Sequence, residues 1–151
     1  MHCQATKFVQ LIPPAAIKNN ASYTPVALDT QGYEYLQVVV SLGATDIALT
    51  ALKLQECATS GGSYADITGM VFGTSNNADG SASVLPSATD DNKIFVFELD
   101  LRGRQRYIEL VCTVGNGSTG GFVSAEAILS RPKIDPQTAT ERGLGAQVLR
   151  A

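Results

Sequence analysis

Three arginines at alternate positions form the most concentrated charge in this sequence. Arg102, Arg104 and Arg106 lie in the segment DLRGRQRY, residues 100–107, and are three of the eleven Lys and Arg residues. In an extended strand, a spacing of two places side chains on the same face. A guanidinium binds carboxylates and phosphates through a planar set of donors, so this segment could contact a partner protein, a phosphate or a nucleic acid.

The residues around these arginines favour a charged turn. Gly103 lies between two apolar segments and can form a tight reversal, either of a hairpin or of a bent strand, which would redirect the three side chains. Asp100 and Glu109 are close enough in sequence to pair with the arginines. The net charge of −3 and the lack of interleaved aromatic residues argue against a nucleic-acid partner. We expect a turn that fixes strand register, with a contact to a partner protein as the alternative.

Residues for metal binding or nucleophilic catalysis are scarce. The single histidine, His2, is next to Cys3 near the N-terminus, whereas a metal site needs more ligands in a fixed cage. Nucleophilic triads need a histidine that the fold positions. Asp90 and Asp91 suit a turn before a strand better than calcium binding or glycoside hydrolysis. We therefore expect no enzyme activity, no metal and no cofactor.

Cysteine content and hydropathy indicate a soluble chain from a reducing compartment. Cys3, Cys57 and Cys112 are odd in number and widely separated, so a complete set of intrachain disulfides is impossible. We expect all three thiols to be reduced in a cytoplasm, with Cys112 buried as a small hydrophobic residue. No segment has the apolar length of a secretory signal or of a membrane span, so we expect no membrane partner.

The pattern of apolar segments predicts an all-β chain. The length of 151 residues, with 44% hydrophobic and 17% charged residues, is typical of one folded domain. Segments rich in β-branched and aromatic residues alternate with clusters of Gly, Asn, Asp, Ser and Pro, which is typical of strands and turns. We predict eight strands, at residues 7–12, 24–29, 33–42, 47–56, 64–72, 93–101, 106–114 and 121–130.

Alternation within these segments predicts two packed sheets. In KIFVFELDL, residues 93–101, one face is wholly apolar and the other becomes polar towards its end. The short link GATD, residues 43–46, suits a hairpin. We predict a single β-sandwich over residues 1–130, either a jelly roll or a related Greek-key arrangement. The long polar loop at 73–92 is expected to face outwards.

The periodic pattern ends at residue 131. Residues 131–151 contain two prolines and two glycines, and their four bases and two acids give +2, against −5 for the rest of the chain. We predict an irregular C-terminal tail or arm that orders on a partner. The candidate contact residues in this arm are Arg142, Leu144, Val148, Leu149 and Arg150.

Four segments together carry a resemblance to a known group of proteins. They are DTQGYEYLQVVVSLGATDIALTALKLQE, ADITGMVFG, LPSATDDNKIFVFELDLRGRQRYIELVCTVGNGS and AILSRPKIDPQTATERG, which span most of residues 29–143. Their specific part is the combination of ATDIALTALKLQE, SATDDNK, DLRGRQRY and ATERG. In this combination the chain resembles small virion structural proteins of tailed bacteriophages, some of which are jelly-roll capsid cement, or decoration, proteins.

The resemblance implies a structural role in a virion. It implies the major capsid protein as partner, a position on the capsid surface after assembly in the host cytoplasm, and a homo-oligomer, with a trimer favoured. The alternative is a receptor- or glycan-binding module of a head fibre or tail. Since the chain has no Trp, we expect such a module to show an exposed groove with aligned tyrosines.

Overall fold

The chain folds into two antiparallel sheets that pack face to face, as the sequence predicts. The computed structural model describes residues 5–134 and 138–145. Within these residues it contains nine strands and no α-helix. The strands are β1 (Thr6–Ile12), β2 (Ala21–Ser22), β3 (Leu28–Asp29), β4 (Tyr33–Thr45), β5 (Leu49–Cys57), β6 (Ala65–Val71), β7 (Ile94–Asp100), β8 (Tyr107–Val114) and β9 (Gly121–Pro132).

The strand pairing has the form of one long nested hairpin. Sheet A has the order β1-β9-β4-β7 and sheet B the order β2-β8-β5-β6, with β3 also paired to β8. Thus β1 pairs with β9, β2 and β3 with β8, β4 with β7, and β5 with β6. Consecutive nested pairs lie in alternate sheets, which is the connectivity of a jelly roll whose second strand is interrupted.

Both links that the sequence predicts as possible hairpins cross between the sheets instead. Strand β4 continues through most of the predicted link to Thr45, and residues 46–48 lead from β4 in sheet A to β5 in sheet B. Residues 101–106 lead from β7 in sheet A to β8 in sheet B. A hairpin and a crossover join the same two alternating strands, so the pattern alone does not distinguish them. The chain forms crossovers and not hairpins at these links, because a crossover places the apolar faces of both strands against one shared core.

The predicted strand at 24–29 pairs only at its end. Leu28 and Asp29 form β3, whereas Ala21 and Ser22, outside the predicted range, form β2. Pro25 between them has no N–H to donate, which is why continuous pairing is interrupted.

The core consists of aliphatic side chains at alternate positions of the central strands. Leu36, Val38 and Val40 of β4 are completely buried, and they share one cluster with Leu52 and Leu54 of β5. Burying each such side chain contributes about 1.5–3 kcal/mol. These rows therefore fix which face of every paired strand points inwards.

The core also contains a free thiol. Cys112 of β8 is completely buried and burial raises its pKa to about 12, so it remains a neutral, small hydrophobic residue. Cys57 is likewise a buried free thiol at the end of β5, whereas Cys3 lies outside the described residues.

Tyr23 forms hydrogen bonds that connect the two sheets. Its backbone N–H donates to Cys112 in sheet B, whereas its side chain reaches β9 in sheet A. The Tyr23 hydroxyl accepts the N–H of Val123 at 3.2 Å and lies 3.3 Å from the carbonyl oxygen of Gly121. Burial raises the pKa of this tyrosine, so the hydroxyl keeps its proton and can donate.

We expect Tyr23→Phe to lower the free energy of unfolding by about 1–2 kcal/mol, because the Val123 N–H loses its acceptor inside the protein. Urea denaturation at pH 7 measures this loss. Tyr64→Phe is the matched control, since the Tyr64 hydroxyl bonds only to the Ser60 carbonyl of an exposed turn. Equal effects of the two substitutions would contradict a role for Tyr23 in joining the sheets.

Candidate functional site

The arginine segment forms a tight turn at one end of the sandwich. Arg104 N–H donates to the Leu101 carbonyl oxygen at 3.1 Å, which closes a four-residue turn. Gly103 occupies its third position with φ of 79°, a conformation that side chains with a Cβ rarely adopt. The predicted role of Gly103 in a chain reversal is therefore confirmed, although the reversal joins two sheets.

Each arginine of the turn binds a carboxylate of the same chain. Arg102 pairs with Asp100, as the sequence predicts. Arg104 lies 3.4 Å from a carboxylate oxygen of Glu56 in β5, and Arg106 lies 2.6 Å from one of Asp29 in β3. The turn therefore separates the three side chains, and they do not form one basic surface.

The partners of Arg104 and Arg106 come from strands far away in sequence. Sequence proximity favoured Glu109, but Asp29 and Glu56 lie at the strand ends beside the turn. Glu56 also accepts the backbone N–H of Gln105 at 3.1 Å. Glu56 thus binds the backbone of the turn as well as one of its charges.

Ion pairs with the arginines lower the pKa values of two carboxylates beside the turn. Hydrogen bonds from Arg106 hold the pKa of Asp29 below its usual range, and those from Arg102 hold the pKa of Asp100 well below it. Both carboxylates are charged at neutral pH, so the turn and its flanking residues largely neutralise one another.

The C-terminal segment 138–145 folds against β1 at the opposite edge of sheet A. Its first turn is closed by a reciprocal capping box, in which Thr138 N–H donates to the Glu141 carboxylate and Glu141 N–H donates to the Thr138 hydroxyl. The Arg142 carbonyl oxygen accepts the N–H of Phe8 at 2.7 Å, and Arg142 Nε donates to the Thr6 carbonyl oxygen at 3.3 Å.

The structure describes two of the five predicted contact residues of the arm, Arg142 and Leu144. Arg142 is 3% exposed and lies against β1, and Leu144 is half-buried. Val148, Leu149 and Arg150 lie outside the described residues. The structure does not bring Arg142 and Leu144 together with the arginine turn, because β1 and β7 form opposite edges of sheet A.

The outer face of sheet A carries an exposed apolar surface. We define this surface by Val39 of β4, Ile94 and Val96 of β7, and Phe122 and Ile128 of β9, all of which point away from the core. Ile94 is 64% exposed, whereas Val96 and Phe122 are 41% and 40% exposed. Val39 lies directly opposite Val96 of β7, so the apolar side chains of β4 and β7 are adjacent. On its other side Val39 lies opposite Glu126 of β9, which is exposed between Phe122 and Ile128.

The outer face of sheet B is polar by contrast. Lys53 pairs with Asp66 at 2.7 Å, and Gln55 donates to the same carboxylate at 2.6 Å. The hydroxyls of Ser22 and Thr113 lie 2.8 Å apart on the same sheet. The two outer faces thus differ in chemistry, and only that of sheet A presents an apolar surface of this kind within the described chain.

A groove of about 510 Å³ runs beside β7. The edge of Phe72 packs on the Phe97 ring at 5.0 Å between centroids, and amide and hydroxyl side chains line the opposite wall. The lining residues are Gln37, Gly69, Met70, Val71, Phe72, Ser75, Asn76, Asn77, Ala78, Ser83, Val96, Phe97 and Glu98. None of these described residues is a tyrosine, so the aligned tyrosines expected of a glycan-binding module do not line this groove.

Asp90 and Asp91 both lie in the turn before β7. Asp90 accepts the N–H of Ser87 at 2.6 Å and binds Lys93 Nζ at 2.7 Å, and the Lys93 bond is the main reason that its pKa falls to about 2. Asp91 accepts the N–H of Thr45 at 2.8 Å. The turn chemistry predicted for Asp90 is confirmed, whereas the Asp91 carboxylate bonds to the end of β4 and not within its own turn.

Residues 5–134 and 138–145 contain no group of three or more His, Cys, Asp or Glu side chains that could hold a metal ion. The same part of the chain has no helix of the length and apolarity needed to cross a membrane.

Comparisons with known proteins do not identify the chain. No protein-family model matches the sequence, and no curated protein is significantly similar to it.

We expect the free energy of unfolding to decrease as the pH falls below about 4. The folded-state pKa of Asp29 is below its ordinary value of 3.8, so its stabilisation is complete above 3.8 and is lost as the pH falls through the lower value. In urea, the stability difference between the wild type and Asp29→Asn should be largest at pH 7 and should shrink towards pH 2. Glu126→Gln is the control, because Glu126 forms no ion pair among the described residues. A difference that does not change with pH would contradict this assignment.

We expect Gly143→Ala to release segment 138–145 from β1. A Cβ at this position would lie 1.8 Å from the Phe8 carbonyl oxygen, and φ is 70°. Gly145→Ala is the matched control, because nothing lies within 4 Å of its Cβ. Hydrogen exchange of the Phe8 amide, which donates to Arg142, should become faster only in Gly143→Ala. Unchanged protection in that variant would show that the segment does not depend on this close approach.

Proposed function

We propose that this chain is a non-enzymatic structural protein of a tailed-bacteriophage virion, and that it acts as a capsid cement protein. It binds the lattice of the major capsid protein through the outer face of sheet A. The observation that carries the proposal is the contrast between the two outer faces, because the apolar surface of Ile94, Val96 and Phe122 has no cover within the described chain. The sequence resemblance gives the virion setting.

The rigidity of this surface suits a protein partner. It lies on a paired sheet, so its side chains are held by strand pairing and need little ordering when they bind. Several exposed apolar side chains on one sheet face mark an interaction site in many proteins, whereas the other exposed ones, such as Val84 and Ile134, lie outside the strands of this sheet. A protein that binds only the assembled lattice stabilises that lattice by mass action, which needs no catalytic residues.

The arm and the oligomer complete the proposal. Segment 138–145 anchors the C-terminal region to β1, and Val148, Leu149 and Arg150 follow this anchor as the predicted contacts with a neighbouring subunit. The buried Arg142 serves as part of the anchor. A homotrimer on the capsid surface is the assembly that the sequence resemblance implies.

A second candidate function is a receptor- or glycan-binding module of a head fibre or tail. The groove beside β7 supports it, because Asn76, Asn77, Ser75 and Ser83 offer donors and acceptors for sugar hydroxyls. The position of the tyrosines argues against it, because none of them lines this groove. Tyr23 is buried in the core, Tyr64 bonds to a turn beside β6, and Tyr33, Tyr35 and Tyr107 are half-buried at other places. We therefore place this function second.

Negative charge on the outer face of sheet A should weaken capsid binding. We expect the double variant Ile94→Asp with Phe122→Asp to bind capsids stripped of the protein about 10- to 100-fold more weakly than the wild type, because two apolar contacts become buried charges. Co-sedimentation measures the affinity, and electron cryomicroscopy of the virion measures position and copy number.

Thr50→Asp is the matched control, since Thr50 is exposed on sheet B. Circular dichroism checks that all variants remain folded. Equal binding of the double variant and the control would overturn the proposed surface. A position on the tail, with only a few copies per virion, would favour the second candidate function.

A further inference from the structure

The backbone of β7 has an unpaired edge. β7 is the last strand of sheet A, and its only neighbour in that sheet is β4. At the two ends of this pairing, Leu42 N–H donates to Lys93 and Leu101 N–H donates to Glu34, both at 2.9 Å. Antiparallel pairing alternates, so every second residue between these ends points its N–H and C=O away from β4. These residues are Ile94, Val96, Glu98 and Asp100.

The chain covers the other edge of the same sheet. There, the Phe8 N–H of β1 donates to the Arg142 carbonyl oxygen, so segment 138–145 blocks further pairing. Natural proteins commonly block sheet edges in this way, because an open edge recruits another strand. No described residue forms a backbone bond with the free edge of Ile94, Val96 or Glu98. Sheet A is therefore closed on one side and open on the other.

The groove lies along this open edge and has an apolar floor. Val96 and Phe97 of β7 contribute to it, together with Met70 of β6 and Phe72, which directly follows β6. Its volume of about 510 Å³ is within the range of ordinary binding sites. A strand added to β7 would point every second side chain towards this floor and the remaining ones along the outer face of sheet A.

The negative charge of Glu98 at the groove favours a partner segment that carries a positive charge. The Glu98 carboxylate accepts a hydrogen bond from Gln37 Nε2 at 3.1 Å and forms no ion pair with any described Lys or Arg. Opposite charges directly across two paired strands attract one another. A lysine or arginine of the incoming strand would therefore be favoured opposite Glu98.

We propose that the groove and the free edge of β7 bind an extended peptide segment of a partner protein by strand addition. The segment has apolar side chains at alternate positions and a Lys or Arg opposite Glu98. Backbone hydrogen bonds supply affinity, and the floor and the carboxylate supply specificity. The inference deepens the proposed function, in which this segment belongs to the capsid partner.

Synthetic peptides test the inference on the whole chain without any capsid. The first probe is the fluorescein-labelled peptide KVKVTVS, and its charge-reversed match is EVEVTVS; fluorescence anisotropy measures both affinities. We expect the wild type to bind KVKVTVS more tightly. Glu98→Lys should weaken that binding by about fivefold and strengthen binding of EVEVTVS by a similar factor. Glu126→Lys, which makes the same charge change on β9, should alter neither affinity comparably.

Backbone methylation separates strand addition from simple charge attraction. Two versions of KVKVTVS carry N-methyl groups on alternate residues, in opposite phases. Only one phase blocks the N–H groups that face β7, so we expect one version to lose binding and the other to retain it. The retained complex should also slow hydrogen exchange at the Ile94, Val96 and Glu98 amides.

Three results would overturn the inference. They are no binding of any peptide at millimolar concentration, equal binding of both methylated versions, and equal effects of Glu98→Lys and Glu126→Lys. Binding of chitohexaose at the groove without binding of any peptide would assign the groove to a glycan and would also overturn it. Because no capsid is present, failure here leaves the capsid assay to decide the proposed function separately.

Discussion

The burial of one aliphatic row from each central strand is the interaction on which this structure depends. Leu36, Val38 and Val40 of β4 and Leu52 and Leu54 of β5 are removed from water only when sheets A and B face one another. Because of this requirement, the links between strands cross from one sheet to the other. The side chains that alternate with the buried rows therefore point away from the core. The two outer faces, with their different chemistry, are a consequence of this inner packing.

The jelly-roll connectivity also determines where the sheets end. Nested pairing places β1 and β7 at the two edges of sheet A, far apart in sequence. Segment 138–145 covers β1, where the approach of Gly143 to Phe8 leaves no space for a side chain. No segment within residues 5–134 and 138–145 pairs with the outer edge of β7 in this way, and the groove and the exposed Ile94 and Val96 lie on that side. The features that support binding are thus concentrated at one edge and one outer face of sheet A.

Much of the fold could be predicted from local pattern. The alternation in KIFVFELDL correctly placed Phe97 and Leu99 inside, because side chains alternate across a strand whatever it pairs with. The role of Gly103 in a turn was also predictable, since its φ of 79° suits glycine. The prediction of a strand at 24–29 missed β2 at Ala21–Ser22 and included residues 24–27, which do not belong to a strand.

The sequence by itself therefore determined the strands, their inward faces, the turn at Gly103 and the neutral core thiol, since each depends on residue type and near neighbours. Only the tertiary structure decided which charges meet. Arg104 and Arg106 pair with Glu56 and Asp29, which are distant in sequence and are brought together by the pairing of β8 with β5 and β3. The tertiary structure also decided which edge stays open, because strand order follows from nested pairing across the whole chain, whereas local sequence records only the periodicity of each strand.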